Sequence, residues 1–336
     1  MSEQTWHIGR MEVASPWGNA GGVVKTVEDV EAMARTGVGW VEAGSYTLEK
    51  RYGNKKDPIT GELIIDPETD EPLVDYCHDP VSGETGNSLG MPNLGRDEVV
   101  RQIPEMNRIA ASHGKEVVYN VAPVSDDPVS ETLELVHSFA AAGARRIILN
   151  GACPNVILEG QVRHELLTRN PKMTNLVLRG LRPPVEKYPG LDIYLRIAPM
   201  DSYDMAKTVL RGVESAGTVG GIWAPNTWGG YKPIKDGKPV LTIEGNTGGK
   251  SGPAVADQVA KQVEWAVRIL NGSKIGVVAS SGVANWEAKR IRAAETLKRF
   301  MDIGAVAGAG TTFYYEIEDG WHEDTHRLLR EFEEIA

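Results

Sequence analysis

The chain has 336 residues, 41% apolar and 24% charged, with 36 basic against 46 acidic side chains and a formal net charge of −10. That balance argues against nucleic acid or an anionic membrane as partner, so any anion it binds must be held by a local site. No apolar run reaches the ~18 residues of a membrane span, and the start, MSEQTWHIGRMEV, carries neither a signal-peptide core nor an Arg-rich presequence. Cys77 and Cys153 are too few for a disulfide framework and neither has a zinc-type partner, so the expectation is a cytoplasmic protein of enzyme size.

A first short strand lies near ASPWGNA. TVEDVEAMARTG (26–37) reads as a helix from its Thr cap, early acids and terminal Gly, and GWVEAGS (39–45) follows as a strand. KEVVYNVAP (115–123) is a strand, and VSETLELVHSFAAAGA (129–144) a helix with Ser130 in the capping role. Then come the strand RRIILN, a long helical stretch near 158–180 and the strand LDIYLRIAP (191–199). SYDMAKTVLRGVESAG with VGGIWAPN, ADQVAKQVEWAVRIL with KIGVVASSG, and NWEAKRIRAAETLKRFMDIG with AVAGAGT continue as helix–strand pairs, and HEDTHRLLREFEEIA closes as helix. Short strands alternating with helices imply parallel strands with right-handed crossovers. The tally approaches eight units, which predicts an α/β fold of the (β/α)8 TIM-barrel kind, one domain over 1–336.

Residues 54–86 break the rhythm with three Asp-Pro steps and no helical period. ITGELIIDPETDEPLV resembles a β-hairpin arm inserted after the second strand, over the face where barrel active sites lie. A lid or oligomer arm and a solvated loop are both open readings of it.

Small residues and carboxamides recur at the strand ends: SPWGNAGGV, AGSYTLEKRYGN, GNSLGMPNLG, NGACPNV, Arg196, Asn226 with Thr227, TGGKSGPA, ASSGV and AGAGTTF. They suit a flat ligand read by many hydrogen bonds and not a metal cage. Gly248, Gly249, Gly282 and Gly310 near the last strands allow backbone amides to surround a phosphate, of a flavin mononucleotide or of a sugar. Cys153, between Asn150 and Asn155 at a strand end, is either a small buried residue or a reactive thiol.

NAGGV, TLEKRYGN, NSLGMPNLG, LNGACPNV and GGKSGPA, in this order, resemble the class 1 dihydroorotate dehydrogenases, soluble FMN enzymes of pyrimidine synthesis, over residues 11 to 315. The resemblance implies an FMN-binding barrel, a homodimer, a small-molecule substrate, and dihydroorotate oxidised to orotate. It implies Cys153 as catalytic base, where the membrane-associated class has Ser. It places the pyrimidine among Asn87, Asn150, Asn155, Asn226 and Thr227, and the substrate carboxylate on the amides of Leu89, Gly90 and Met91. Ala20, Gly21, Gly44, Ser45, Asn150 and Arg196 take positions at the flavin, with Gly248, Gly249, Ser281, Gly282, Gly310 and Thr311 toward its phosphate.

Three departures fall at the site. Gly44 stands where the family has a Lys touching flavin and pyrimidine, Ser281 replaces a Gly, and Gly21 replaces a Ser. They open two further readings: another small cyclic enone, amide or acid as substrate, or a barrel binding a phosphorylated ligand without redox chemistry. Arg196 is the expected replacement for the lost ammonium. HEDTH (322–326) matches a zinc motif but has no third ligand in view, so no metal is expected. Trp223 and Trp228, flanking Asn226, are candidate pocket walls; Lys250 is read as solvated and Cys77 as a loop thiol.

Overall fold

The computed structural model describes residues 5–67, 69–158, 161–162, 166–315 and 320–336. Eight parallel strands form its centre: β1 Trp17–Asn19, β2 Val41–Tyr46, β3 Val117–Val121, β4 Arg146–Asn150, β5 Asp192–Arg196, β6 Val219–Ala224, β7 Gly276–Ser280 and β8 Ala307–Gly310. They pair in one sheet in the order β1-β8-β7-β6-β5-β4-β3-β2, and the parallel bridge Val24↔Ala43 brings the two ends together. Each strand is followed by its helix: α1 Val27–Ala34, α2 Arg96–Ser112, α3 Pro128–Ala141, α4 Pro171–Gly180, α5 Tyr203–Ala216, α6 Ala256–Ile269, α7 Ala293–Ile303 and α8 Trp321–Ile335. The fold is therefore the (β/α)8 barrel that the alternation predicts.

Strand residues alternate between two environments, as the period of two requires. Outward side chains such as Val41, Tyr119, Ile147, Ile193 and Ile222 pack with the helices in one large cluster. Inward ones, Trp40, Val118, Ile148, Tyr194, Trp223 and Val278, fill the barrel with Ile8, Met11 and Val13 of an N-terminal hairpin. Trp40 and Trp223 meet edge to face at 6.1 Å. Trp223 is fully buried in this core, so it is no pocket wall, and Trp228 starts a strand of the accessory sheet described below.

Several local expectations shift. Thr26 caps α1 and forms a capping box with Asp29, but α3 is capped by Asp127 with Pro128 in its first turn, not by Ser130. A Pro in the first turn forfeits only an N–H that has no intrahelical partner, which moves the start upstream. The helix expected from residue 158 begins at Pro171, because Ile157–Leu158 and Gln161–Val162 pair as a short hairpin; residues 159, 160 and 163–165 lie outside the described residues. Residues 285–292 form an irregular loop closed by Trp286↔Ile291, and α7 starts only at Ala293.

The arm also differs from one hairpin. Bridges Lys56↔Leu63 and Ile65↔Pro72 close two successive tight loops, and the regular strands come later, at Tyr76–Asp79 and Glu84–Asn87. Those two join Gly248–Ser251 and Trp228–Tyr231 in a four-stranded antiparallel sheet set over the barrel mouth. Asp-Pro turns stop the apolar stretch from extending into long strands, since Pro cannot donate to a ladder.

The barrel interior tolerates no added volume at Gly18, where a Cβ would lie 2.3 Å from the Trp40 ring. Gly18→Ala should cost about 1–3 kcal/mol by overpacking, read as a lower denaturant midpoint at unchanged slope. An unchanged midpoint would contradict the packing described.

Candidate functional site

Continuing five of the inward rows by two residues changes their chemistry from apolar to polar. Trp40 is followed by Glu42, Val118 by Asn120, Ile148 by Asn150, Tyr194 by Arg196 and Val278 by Ser280, so the C-terminal end of the barrel carries a polar layer. All five are buried, Glu42 and Asn120 completely. Arg196 Nη2 donates to Glu42 Oε2 at 2.7 Å, and Asn120 Nδ2 to Glu42 Oε1 at 2.7 Å.

Above this layer lies an open cleft. Of the residues singled out in the sequence, Ala20, Gly21, Ser45, Asn87, Leu89, Gly90, Met91, Asn150, Cys153, Asn155, Arg196, Asn226, Thr227, Ser281, Gly282, Gly310 and Thr311 all line it. Tyr76, Thr85 and Ser251 of the accessory sheet add a wall that the sequence did not reveal. The carboxamides form two linked pairs. Asn226 Nδ2 donates to Asn150 Oδ1 at 3.3 Å while Asn150 Nδ2 donates to Ser45 Oγ at 2.9 Å; Asn155 Nδ2 donates to Asn87 Oδ1 at 3.0 Å. Asn54 joins the arm to this network through Ser88 and the Asn155 carbonyl, and Arg51 Nε holds the Gly90 carbonyl at 3.0 Å.

Gly44, Gly248 and Gly249 do not line the cleft. Gly248 and Gly249 sit in the accessory sheet, where a Cβ would lie 2.5 Å from the Asn87 carbonyl oxygen and 2.1 Å from Thr227 Oγ1 respectively. Their bareness serves close packing on the barrel rim. Gly44 has φ +125°, and a Cβ there would lie 2.3 Å from the Asn120 carbonyl oxygen. A lysine at this position is excluded by backbone geometry.

The structure supplies a different ammonium. Lys25, in the loop from β1 to α1, lines the cleft and was missed in the sequence; a Lys directly after the AGGVV strand end is the signal that marks it. Burial lowers its pKa to about 8, against the opposing attraction of Glu42, Cys153 and Asp29. Arg196, expected to replace the lost cation, also lines the cleft, with its Nη2 paired to Glu42. Glu42 was missed as well, although an acid inside the apolar run GWVEA is a recognisable anomaly.

Burial raises the pKa of the Cys153 thiol; the Asn155 backbone amide and the charges of Arg51, Lys25 and Arg196 work against that rise. The charges named are all positive. Ser281 has φ +84°, and its buried Oγ has no partner among the described residues, as has Arg196 Nε. Both residues line the cleft. The His pair of HEDTH is not among the residues lining the cleft: His322 Nδ1 lies 2.8 Å from the Arg35 carbonyl, and the two rings meet at 4.5 Å.

The described residues thus form an α/β barrel with a polar, carboxamide-rich mouth and a thiol among cations. The dihydroorotate dehydrogenase family model matches residues 70–290, and the chain belongs to that family. Similar proteins include a dihydroorotate dehydrogenase (quinone) of Bradyrhizobium diazoefficiens, 28% identical over 55% of this chain and 45% of the relative. Dihydroorotate dehydrogenase B (NAD(+)), catalytic subunit, of Cutibacterium acnes is 24% identical over 80% of this chain and 81% of its own. Dihydroorotate dehydrogenase A (fumarate) of Lactococcus lactis subsp. cremoris is 30% identical over 45% of this chain and 42% of its own. The chain thus spans somewhat under half the length of two of these relatives. Family membership supports an oxidoreductase. No helix among the described residues is long and apolar enough to cross a membrane.

If the Lys25 ammonium stabilises the Cys153 thiolate, removing it should move the thiol's ionisation to higher pH. In a Cys77→Ala background, the pH midpoint of iodoacetamide alkylation is expected to rise in Lys25→Met, with several-fold slower labelling just below pH 8, where Lys25 still carries charge. Coincident profiles would refute the coupling.

Proposed function

We propose that the protein is an FMN-dependent oxidoreductase of the dihydroorotate dehydrogenase type that converts a CH–CH bond of dihydroorotate to C=C. The observation that carries this is the convergence of Cys153, two carboxamide pairs and Lys25 on one cleft over a polar barrel floor.

The residues fit an FMN. The unpartnered Arg196 Nε is a donor available to the ring, bare Ala20 and Gly21 allow flat packing, and the unpartnered Ser281 Oγ with Gly282, Gly310 and Thr311 would hold the phosphate. FMN, when bound, supplies the acceptor for the hydride that leaves the substrate. The protein's own residues do the rest. Cys153 as thiolate takes the proton from one substrate carbon and becomes a thiol. Asn87, Asn150, Asn155 and Asn226 orient the ring without adding charge, and Lys25 with the Leu89–Met91 turn faces the substrate carboxylate. The Cys base matches the soluble class, for which a homodimer in the cytoplasm is the corresponding proposal. Exposed Leu63, Ile64, Ile65 and Val74 support an assembly role for the arm over a solvated loop.

Reconstituted with FMN, the protein should show flavin absorption that bleaches on anaerobic addition of dihydroorotate, faster on the alkaline side as the raised Cys153 thiol ionises. Cys153→Ala should keep the flavin and slow bleaching by roughly 10²–10⁴-fold, the usual worth of a general base. Flavin that stays oxidised would retain the cofactor and sink dihydroorotate, leaving another small cyclic enone, amide or acid as substrate. Failure to take up FMN would leave the non-redox reading.

A further inference from the structure

The Glu42–Arg196 pair has a side chain exposure of 0% and 5%, so neither charge is screened by water. Both carboxylate oxygens are committed, one to Arg196 Nη2 and one to Asn120 Nδ2. The backbone of Glu42 is clamped as well, with its N–H donating to Asn19 Oδ1 at 2.9 Å and its carbonyl accepting from Asn19 Nδ2 at 2.6 Å. The pair lies directly beneath the cleft wall: a Cβ on Gly21 would be 2.8 Å from Arg196 Nη1, 2.8 Å from Glu42 Oε1 and 2.7 Å from Asn120 Nδ2. Arg196 reaches the cleft with Nε unpartnered among the described residues.

Resting on the FMN reading above, we propose that Glu42 is a positioning residue that fixes the Arg196 guanidinium under the flavin site and offsets its charge there, setting the flavin reduction potential. The carboxylate draws one end of the guanidinium to itself and leaves the Nε edge to the ligand. It also supplies a negative charge next to a cation that would otherwise favour an electron-rich flavin. A bare Arg196 would over-stabilise the reduced cofactor; the pair moderates it. Gly21 keeps the separation between pair and cleft to a single backbone layer.

The test is the midpoint potential of bound FMN, measured with equilibrating redox dyes in four proteins: wild type, Glu42→Gln, Arg196→Gln and the double variant. Glu42→Gln should raise the potential, with reduced FMN favoured over oxidised by at least tenfold more than in wild type, or about 30 mV for a two-electron couple. Arg196→Gln should lower it, and adding Glu42→Gln to Arg196→Gln should raise it again. That last comparison decides the matter if Glu42→Gln alone does not fold. A potential insensitive to Glu42 in both backgrounds, or one that falls, overturns the proposal while leaving FMN in place. A wild type that takes up no FMN overturns the cofactor reading and this inference together.

Discussion

A buried charge pair at the polar floor of the barrel constrains much of what surrounds it. Arg196 and Glu42 stand on β5 and β2, and Asn120 between them on β3 fills the remaining carboxylate oxygen. Burying such charges is tolerable only when each has a partner and the geometry is fixed; removing one partner of a buried pair typically costs about 3–5 kcal/mol. The fixing comes from the aromatic layer below, where Trp40 and Tyr194, two residues before Glu42 and Arg196, both pack against Trp223 of β6. An apolar plug thus holds the strands that hold the charges.

The same two-residue step explains where the site lies. Five of the barrel strands exchange packing for polarity within one inward position, and the loops that follow add groups above that floor. Asn150 belongs to the floor, while Cys153 and Asn155, a few residues on, belong to the loop; Asn155 then reaches Asn87 at the base of the accessory sheet. The sheet's attachment is equally specific. Gly249 pairs with Asn87, so the strands of the arm and of the β6–α6 segment meet at the residue that also holds a cleft carboxamide.

The barrel was legible because its signals are local: strand and helix periods, Gly and Thr at helix ends. Most of the cleft was legible too, since strand-end residues must converge once the barrel closes. What escaped depends on contacts between distant segments. The sheet of Tyr76–Asp79, Glu84–Asn87, Gly248–Ser251 and Trp228–Tyr231 joins stretches up to about 170 residues apart, and nothing in either stretch alone announces the other. Gly248 and Gly249 look like a phosphate loop in sequence, yet their neighbours are Asn87 and Thr227. Trp223 looked like a pocket wall because Asn226 is near it in sequence, but the inward direction at that level is already sealed core.

Gly44 is the most informative departure. A missing lysine reads as a lost function when residues are compared position by position. In space, Gly44 is pressed against the Asn120 carbonyl at positive φ, away from the cleft lining, while Lys25 from the preceding strand's loop lines the cleft. The consequence is electrostatic. Burial destabilises both the Lys25 ammonium and the Cys153 thiolate, and each charge relieves the other. Arg51 and Arg196 add to the positive side acting on the thiol. A locally cationic site inside a chain of net charge −10 does not arise from bulk composition. It suits a ligand that brings its own negative charge.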